Sequence, residues 1–189
     1  EICTNPDLPS PKSKNTPKFV IPVIFPSTIC PTASSIKKSA PFENKKYNGV
    51  EVISMLSKNQ NPISCSQSLK FLDSTDNEKD VVLLITDSND KVHGHEDISW
   101  IYDTDFAPLN SENVKTVYVG GSRCYDVATC LEIKGIDTGK LVLFENYDEL
   151  ADTVSKKSIV GRDIVVYFEL YATSVVEKIK NAMSQKGDK

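Results

Sequence analysis

The 189 residues are 39% hydrophobic and 25% charged, which fits one ordinary globular domain plus a tail and excludes a fibrous or wholly disordered protein. A net charge of −4 argues against a nucleic-acid partner, because neutralising phosphates needs a clustered basic surface. The longest apolar stretch, Phe19–Phe25, carries Pro22 and is far short of the ~20 residues that cross a bilayer, so no transmembrane segment is expected.

Eight of the ten prolines fall within residues 6–41, and no glycine occurs before Gly49. Proline blocks helix interiors and ladder hydrogen bonds, so residues 1–41 read as an irregular, extended proline-rich arm or linker, ahead of a folded domain over 42–189. Five lysines against Glu1 and Asp7 give the arm a charge of +3 and leave −7 for the rest. Its apolar stretch keeps two uses open, a disordered leader or an arm laid over the domain or a partner. No apolar block leads to a small-residue cleavage site, so a signal peptide is not expected. The five cysteines (3, 30, 65, 124, 130) are odd in number and lack a C-x-x-C pair, which predicts reduced thiols in a cytoplasm rather than a disulfide set or zinc ribbon.

From residue 49 the pattern alternates. Val50–Leu56 reads as a strand, Ser64–Leu72 as a short helix, and Val81–Ile85 as a strand buried on both faces. Val114–Val119 is a further strand, ending at Gly120-Gly121. Ser122 is then expected to cap a helix that places Cys124, Ala128 and Leu131 on one face and closes at Gly135. Leu141–Phe144 is the next strand, and Asn146 with Glu149 forms a capping-box pattern opening a helix to about Lys156. Ile164–Leu170 and Thr173–Ser184 are the last strand and helix. Such alternation predicts an α/β fold with a mostly parallel sheet and helices on both faces.

Sites in such sheets form at the carboxyl ends of strands. Gly120-Gly121-Ser122-Arg123 offers a helix N-terminus and a guanidinium to an anion, although glycines after a strand also make ordinary tight turns. The segment from Asp87 to Asp97 contains His93 and His95 and invites a metal reading, but it equally suits an exposed loop, and no metal is assigned. A phosphate loop of the Gly-x-x-x-x-Gly-Lys-Ser/Thr type is absent, as is a Gly-x-Ser-x-Gly elbow. Alone, the chain does not read as a complete enzyme.

One stretch narrows the choice. Glu96-Asp97-Ile98-Ser99-Trp100-Ile101-Tyr102-Asp103-Thr104-Asp105-Phe106 resembles the Asp-x-Ser-Trp signature of the MurT C-terminal domain, a Mur-ligase-like family. Gly121-Ser122-Arg123-Cys124-Tyr125-Asp126-Val127-Ala128 is similar to that family's Ser-Gly-Arg-x-x-Asp-Met-Ala, and Leu56-Ser57-Lys58-Asn59-Gln60-Asn61-Pro62 to its Leu-Val-Lys-Asn-Pro. The resemblance covers about residues 42–182.

It implies a Rossmann-like three-layer domain acting with a GatD-type glutamine amidotransferase in the ATP-dependent amidation of D-glutamate in lipid II. That is a carbon–nitrogen ligase using glutamine as amide donor, and the resemblance implies no activity for this chain alone. ATP and Mg would be bound mainly outside the chain, with none expected on it in isolation. Asp97, with Asp103 as second choice, is implied to complete the partner's Cys–His pair. Lys58, Asn61, Arg123 and Asp126 match segments implied to face substrate or nucleotide. The family's Gly-Arg before the motif aspartate is His95-Glu96 here, and two extra residues separate Lys58 from Asn61. A non-catalytic binding or interaction module on the same fold therefore stays open, as does an unrelated doubly wound domain binding a nucleotide or metal.

Overall fold

The computed structural model describes residues 42–57, 60–86 and 97–186. The arm over 1–41, Lys58, His93 and His95 lie outside the described residues.

Asn48 (φ 49°) and Gly49 (φ 86°) both adopt the left-handed conformation of a two-residue hairpin turn, which joins β1 (Phe42–Tyr47) to β2 (Val50–Leu56). β1 pairs antiparallel with β2, from Phe42 opposite Met55 to Tyr47 opposite Val50. The remaining strands, β3 (Lys79–Leu84), β4 (Val114–Gly120), β5 (Leu141–Phe144) and β6 (Asp163–Phe168), all run parallel to β2. The order across the sheet is β1-β2-β6-β3-β4-β5, so the expected mostly parallel sheet is present with one antiparallel edge strand.

Among the described residues four α-helices cover it: α1 (Pro62–Leu69), α2 (Cys124–Ile133), α3 (Tyr147–Lys157) and α4 (Thr173–Gln185). Successive strand residues point to opposite faces, and the two cores follow that parity. Val81, Leu83 and Val117 pack with Leu69 of α1 and Val127 and Leu131 of α2. Val82, Leu84 and Tyr118 pack with Leu150 and Val154 of α3 and Ile179 and Met183 of α4. The result is the three-layer α/β domain.

Several local expectations need correction. The first helix starts earlier, at Pro62, and after Leu69 it tightens into a 3-10 turn over Lys70–Ser74. Lys79 holds that turn from below; its fully buried ammonium donates to Leu72 O (2.9 Å) and Thr75 O (2.8 Å). Ser122 does not cap α2: the cap position is Arg123, with no side-chain cap bond, because the backbone turn places Cys124 N on Gly121 O (3.1 Å). The buried face of α2 is Cys124, Val127, Cys130 and Leu131, with Ala128 at its half-buried margin. Its far end closes as expected. Gly135 (φ 75°) lets its own N–H reach Glu132 O and the Ile136 N–H reach Leu131 O, each at 2.9 Å. Asn146 caps α3 as expected, accepting from Asp148 N (2.8 Å) and Glu149 N (3.3 Å).

At the amino edge of the sheet, Arg162 bridges Glu78 (3.2 Å) and Asp80 (3.5 Å), and Lys115 also reaches Glu78 (3.1 Å). Burial raises the Asp80 carboxyl above its ordinary value, with Arg162 pulling the other way. No described helix is long and apolar enough to cross a membrane.

Candidate functional site: the carboxyl rim of the sheet

β3 and β6 are neighbours, yet the next described segment after β3 packs Ile98, Ile101 and Phe106 on the α1/α2 face, while the chain leaving β6 enters α4 on the other face. This divergence opens a crevice at their carboxyl ends, the usual position of a site in an open α/β sheet. Two buried polar residues close its floor. Thr86, just past β3, donates its hydroxyl to Glu169 Oε1, just past β6, at 2.7 Å, and Glu169 Oε2 accepts from Tyr171 N at 2.9 Å.

The Asp-x-Ser-Trp segment sits on this rim. Ile98 (6% exposed), Ile101 (0%) and Phe106 (1%) sink into the core, while Ser99, Tyr102, Asp103 and Asp105 between them stay exposed. Trp100 is half-buried and lines a narrow pocket with Ser57, Ile85, Phe168 and Glu169, at the ends of β2, β3 and β6. Burial of Trp100 and Phe106 is what large aromatics in a polar segment are expected to do.

Asp97 and Asp103 lie at the two ends of this short element, both exposed. Asp97 has a local role as well, because its Oδ1 accepts from Ser99 N at 2.7 Å. The Asp97 carboxylate is thus exposed and also holds the turn. Asp105 does the same for Ala107 N (3.1 Å), while its own N–H donates to Ser66 Oγ (2.8 Å), stitching the segment to α1.

The other sequence candidates are distributed along the same rim but already have work. Asn61 is the N-cap of α1, accepting from Ser64 N at 2.9 Å. Arg123 Nε lies 3.0 Å from Asp126 Oδ2, one turn along α2. Glu145 adds a second carboxylate nearby and raises the exposed Tyr125 phenol. Burial first, and Glu145 second, raise the Cys124 thiol. The start of α2 is therefore flanked by the protein's own anions, which disfavours the anion-binding reading of Gly120-Gly121-Ser122-Arg123. Among the described residues, no three His, Cys, Asp or Glu side chains group as metal ligands.

Sequence reasoning missed Glu169 and Thr86. Thr86 follows the strand expected over Val81–Ile85, whereas Glu169 falls inside the one expected over Ile164–Leu170, which ends at Phe168 instead; only the β3–β6 adjacency makes them partners. It also missed the apolar residues standing out along the rim: Ile63, Tyr102, Tyr125, Leu170 and Tyr171 are all between 44% and 74% exposed. Cys65, by contrast, is buried beneath it. Burial pushes its thiol up, and the hydroxyls of Ser57 and Thr104 beside the sulfur pull the other way.

Comparison with known proteins follows the same lines. The chain is 27% identical over 103 residues to the lipid II isoglutaminyl synthase (glutamine-hydrolyzing) subunit MurT of Staphylococcus aureus, in strains COL and N315 alike. That match takes in 54% of this chain but only 23% of the relatives' length. Among solved structures, the murein peptide ligase mpl of Psychrobacter arcticus 273-4 superposes with a TM-score of 0.54 at 9% identity, over 74% of this chain and 28% of that one. UDP-N-acetylmuramoyl-L-alanyl-D-glutamate–2,6-diaminopimelate ligase does so at 0.53 and 11%, over 77% and 31%. At these identities the two structures share the fold. The MurT ligase C-terminal profile matches residues 56–169, more than half of the chain, and spans every strand from the end of β2 to β6 and the whole rim between them; the chain belongs to the MurT ligase C-terminal family.

Proposed function

We propose that this domain is the part of a glutamine-dependent peptidoglycan-precursor ligase that meets a GatD-type amidotransferase. In that assembly it contributes Asp97 to the partner's catalytic Cys–His pair during amidation of D-glutamate in lipid II. The observation that carries the reading is the exposed Asp97 carboxylate on a turn anchored from beneath by Ile98 and Ile101. A carboxylate that accepts the N–H of a catalytic imidazole fixes its tautomer and stabilises the imidazolium that forms. The Ser99 N–H orients Asp97 for such a contact. The exposed Tyr102, Leu170 and Tyr171 give a partner apolar surface around it.

ATP supplies the activating phosphoryl group in such a ligase. The described residues do not fit it alone: Arg123 is paired with Asp126, Asn61 is spent on the α1 cap, and Glu145 crowds the start of α2. Nucleotide binding is accordingly assigned to another domain, and no step of the present reading passes through it. Calorimetry of the isolated chain is expected to show no micromolar affinity for ATP.

The decisive experiment is reconstitution with a GatD-type amidotransferase. Asn at position 97 keeps the acceptor for Ser99 N but loses the charge. Asp97→Asn is therefore expected to leave melting temperature and association unchanged while glutaminase activity falls by orders of magnitude. Activity that survives Asp97→Asn but fails with Asp103→Asn moves the role to Asp103. Full activity in both variants rejects triad completion and leaves the non-catalytic interaction module.

A further inference from the structure

Two buried hydrogen-bonding atoms at the crevice have no partner among the described residues. Trp100 Nε1 is fully buried with its N–H undonated, and Ser57 Oγ is equally enclosed, in a residue only 8% exposed. The Cys65 sulfur beside Ser57 is a weak hydrogen-bonding group and does not satisfy it. Both residues line the same narrow pocket, whose free volume of about 10 Å³ matches a single water. Leu83, Ile85 and Phe168 supply its apolar walls, and their side chains offer the indole no acceptor. Glu169 also lines it; each of its oxygens already accepts one bond and keeps a further lone pair.

We propose that this pocket is a binding site for one internal water, which accepts from Trp100 Nε1–H and donates to Ser57 Oγ and to the Glu169 carboxylate. Three polar partners in a cavity of that size are what a resident water requires. The water joins three chain segments: the end of β2, the residue after β6, and the turn that carries Asp97. It therefore sets the height of that turn above the sheet. It belongs to the free domain, independently of any amidotransferase partner.

Trp100 is the chain's single tryptophan, so its indole N–H gives one assignable resonance. In the 15N-labelled full chain, a cross-peak from that proton to water is expected, with the sign of a contact lasting longer than molecular tumbling. Ser57→Ala is expected to shift the indole resonance and reduce the cross-peak at least severalfold, whereas Ser57→Thr, which keeps a hydroxyl, retains it. The proposal is overturned if the wild-type indole shows no long-lived water contact. A cross-peak of equal strength in a folded Ser57→Ala, judged from its amide spectrum, overturns it equally. Should Ser57→Ala not fold, the wild-type measurement alone decides.

Discussion

Lys180 shows how one side chain on α4 fastens an element the sequence hid. Its side chain is 7% exposed, and its ammonium reaches Glu43 of β1 at 2.5 Å and Glu177 at 3.0 Å. Burial works to lower its pKa, but the hydrogen bonds to Glu43 and Glu177 and their charges more than offset this, and the net shift is upward. A lysine whose folded value lies above its unfolded value adds stability that is fully present below the unfolded value and is lost as pH rises through the folded one. Lys180→Met should therefore cost roughly 1–2 kcal/mol near neutrality, discounted because both carboxylates are largely exposed. The variant should also show a flatter loss of stability at alkaline pH; denaturant titrations across that range would reveal a wild-type-like slope if the pairs contribute nothing. Residues of this kind are the least legible in sequence. Nothing in the spacing of Glu43 and Lys180 links them, and Asn61, matched to a nucleotide-facing segment, holds a helix start.

Elements are legible to uneven degrees, for physical reasons. β3 through β6 each carry an apolar run (Val81–Ile85, Val117–Val119, Leu141–Phe144, Ile164–Phe168), and such runs between turn residues announce buried strands. β1 does not. Phe42-Glu43-Asn44-Lys45-Lys46-Tyr47 is polar through its middle, as an edge strand can be, and the Asn48-Gly49 turn after it is the stronger sign. Among the caps, Asn146 behaves as its type predicts, whereas the start of α2 is set by the backbone turn at Gly121. Asn146→Ala should lower stability by about 1 kcal/mol in thermal or urea unfolding, through loss of its two N–H contacts at the start of α3. Gly121 is more demanding, with φ at 116° and a Cβ there placed 2.6 Å from the Tyr147 hydroxyl oxygen. Gly121→Ala should cost on the order of 2–3 kcal/mol, and adding Tyr147→Phe should recover only part of it, because removing the oxygen relieves the clash and leaves the backbone strain. Complete recovery would show that the strain is unimportant.

For the whole molecule, the division at residue 42 is an expectation that truncation can test. The residues forming the two described cores run from Tyr47 to Met183. A chain beginning at Phe42 is therefore expected to unfold cooperatively within a few degrees of the full chain, and a broad or strongly lowered transition would mean that residues 1–41 complete a core. The layered fold is legible because its strands advertise themselves. The rim is legible only where a family signature marks it, since the meeting of Thr86 with Glu169 depends on strand order and not on any local pattern. The antiparallel direction of β1 has a consequence for how the molecule is wired. Because Phe42 lies opposite Met55, near the end of β2, the polypeptide joins the sheet on the same side as Asp97. A peptide fused directly ahead of Phe42 in the truncated chain would thus be held beside Asp97, at a high local concentration there. Had the sheet begun with a parallel strand, that attachment point would have fallen at the opposite edge, a full strand length away.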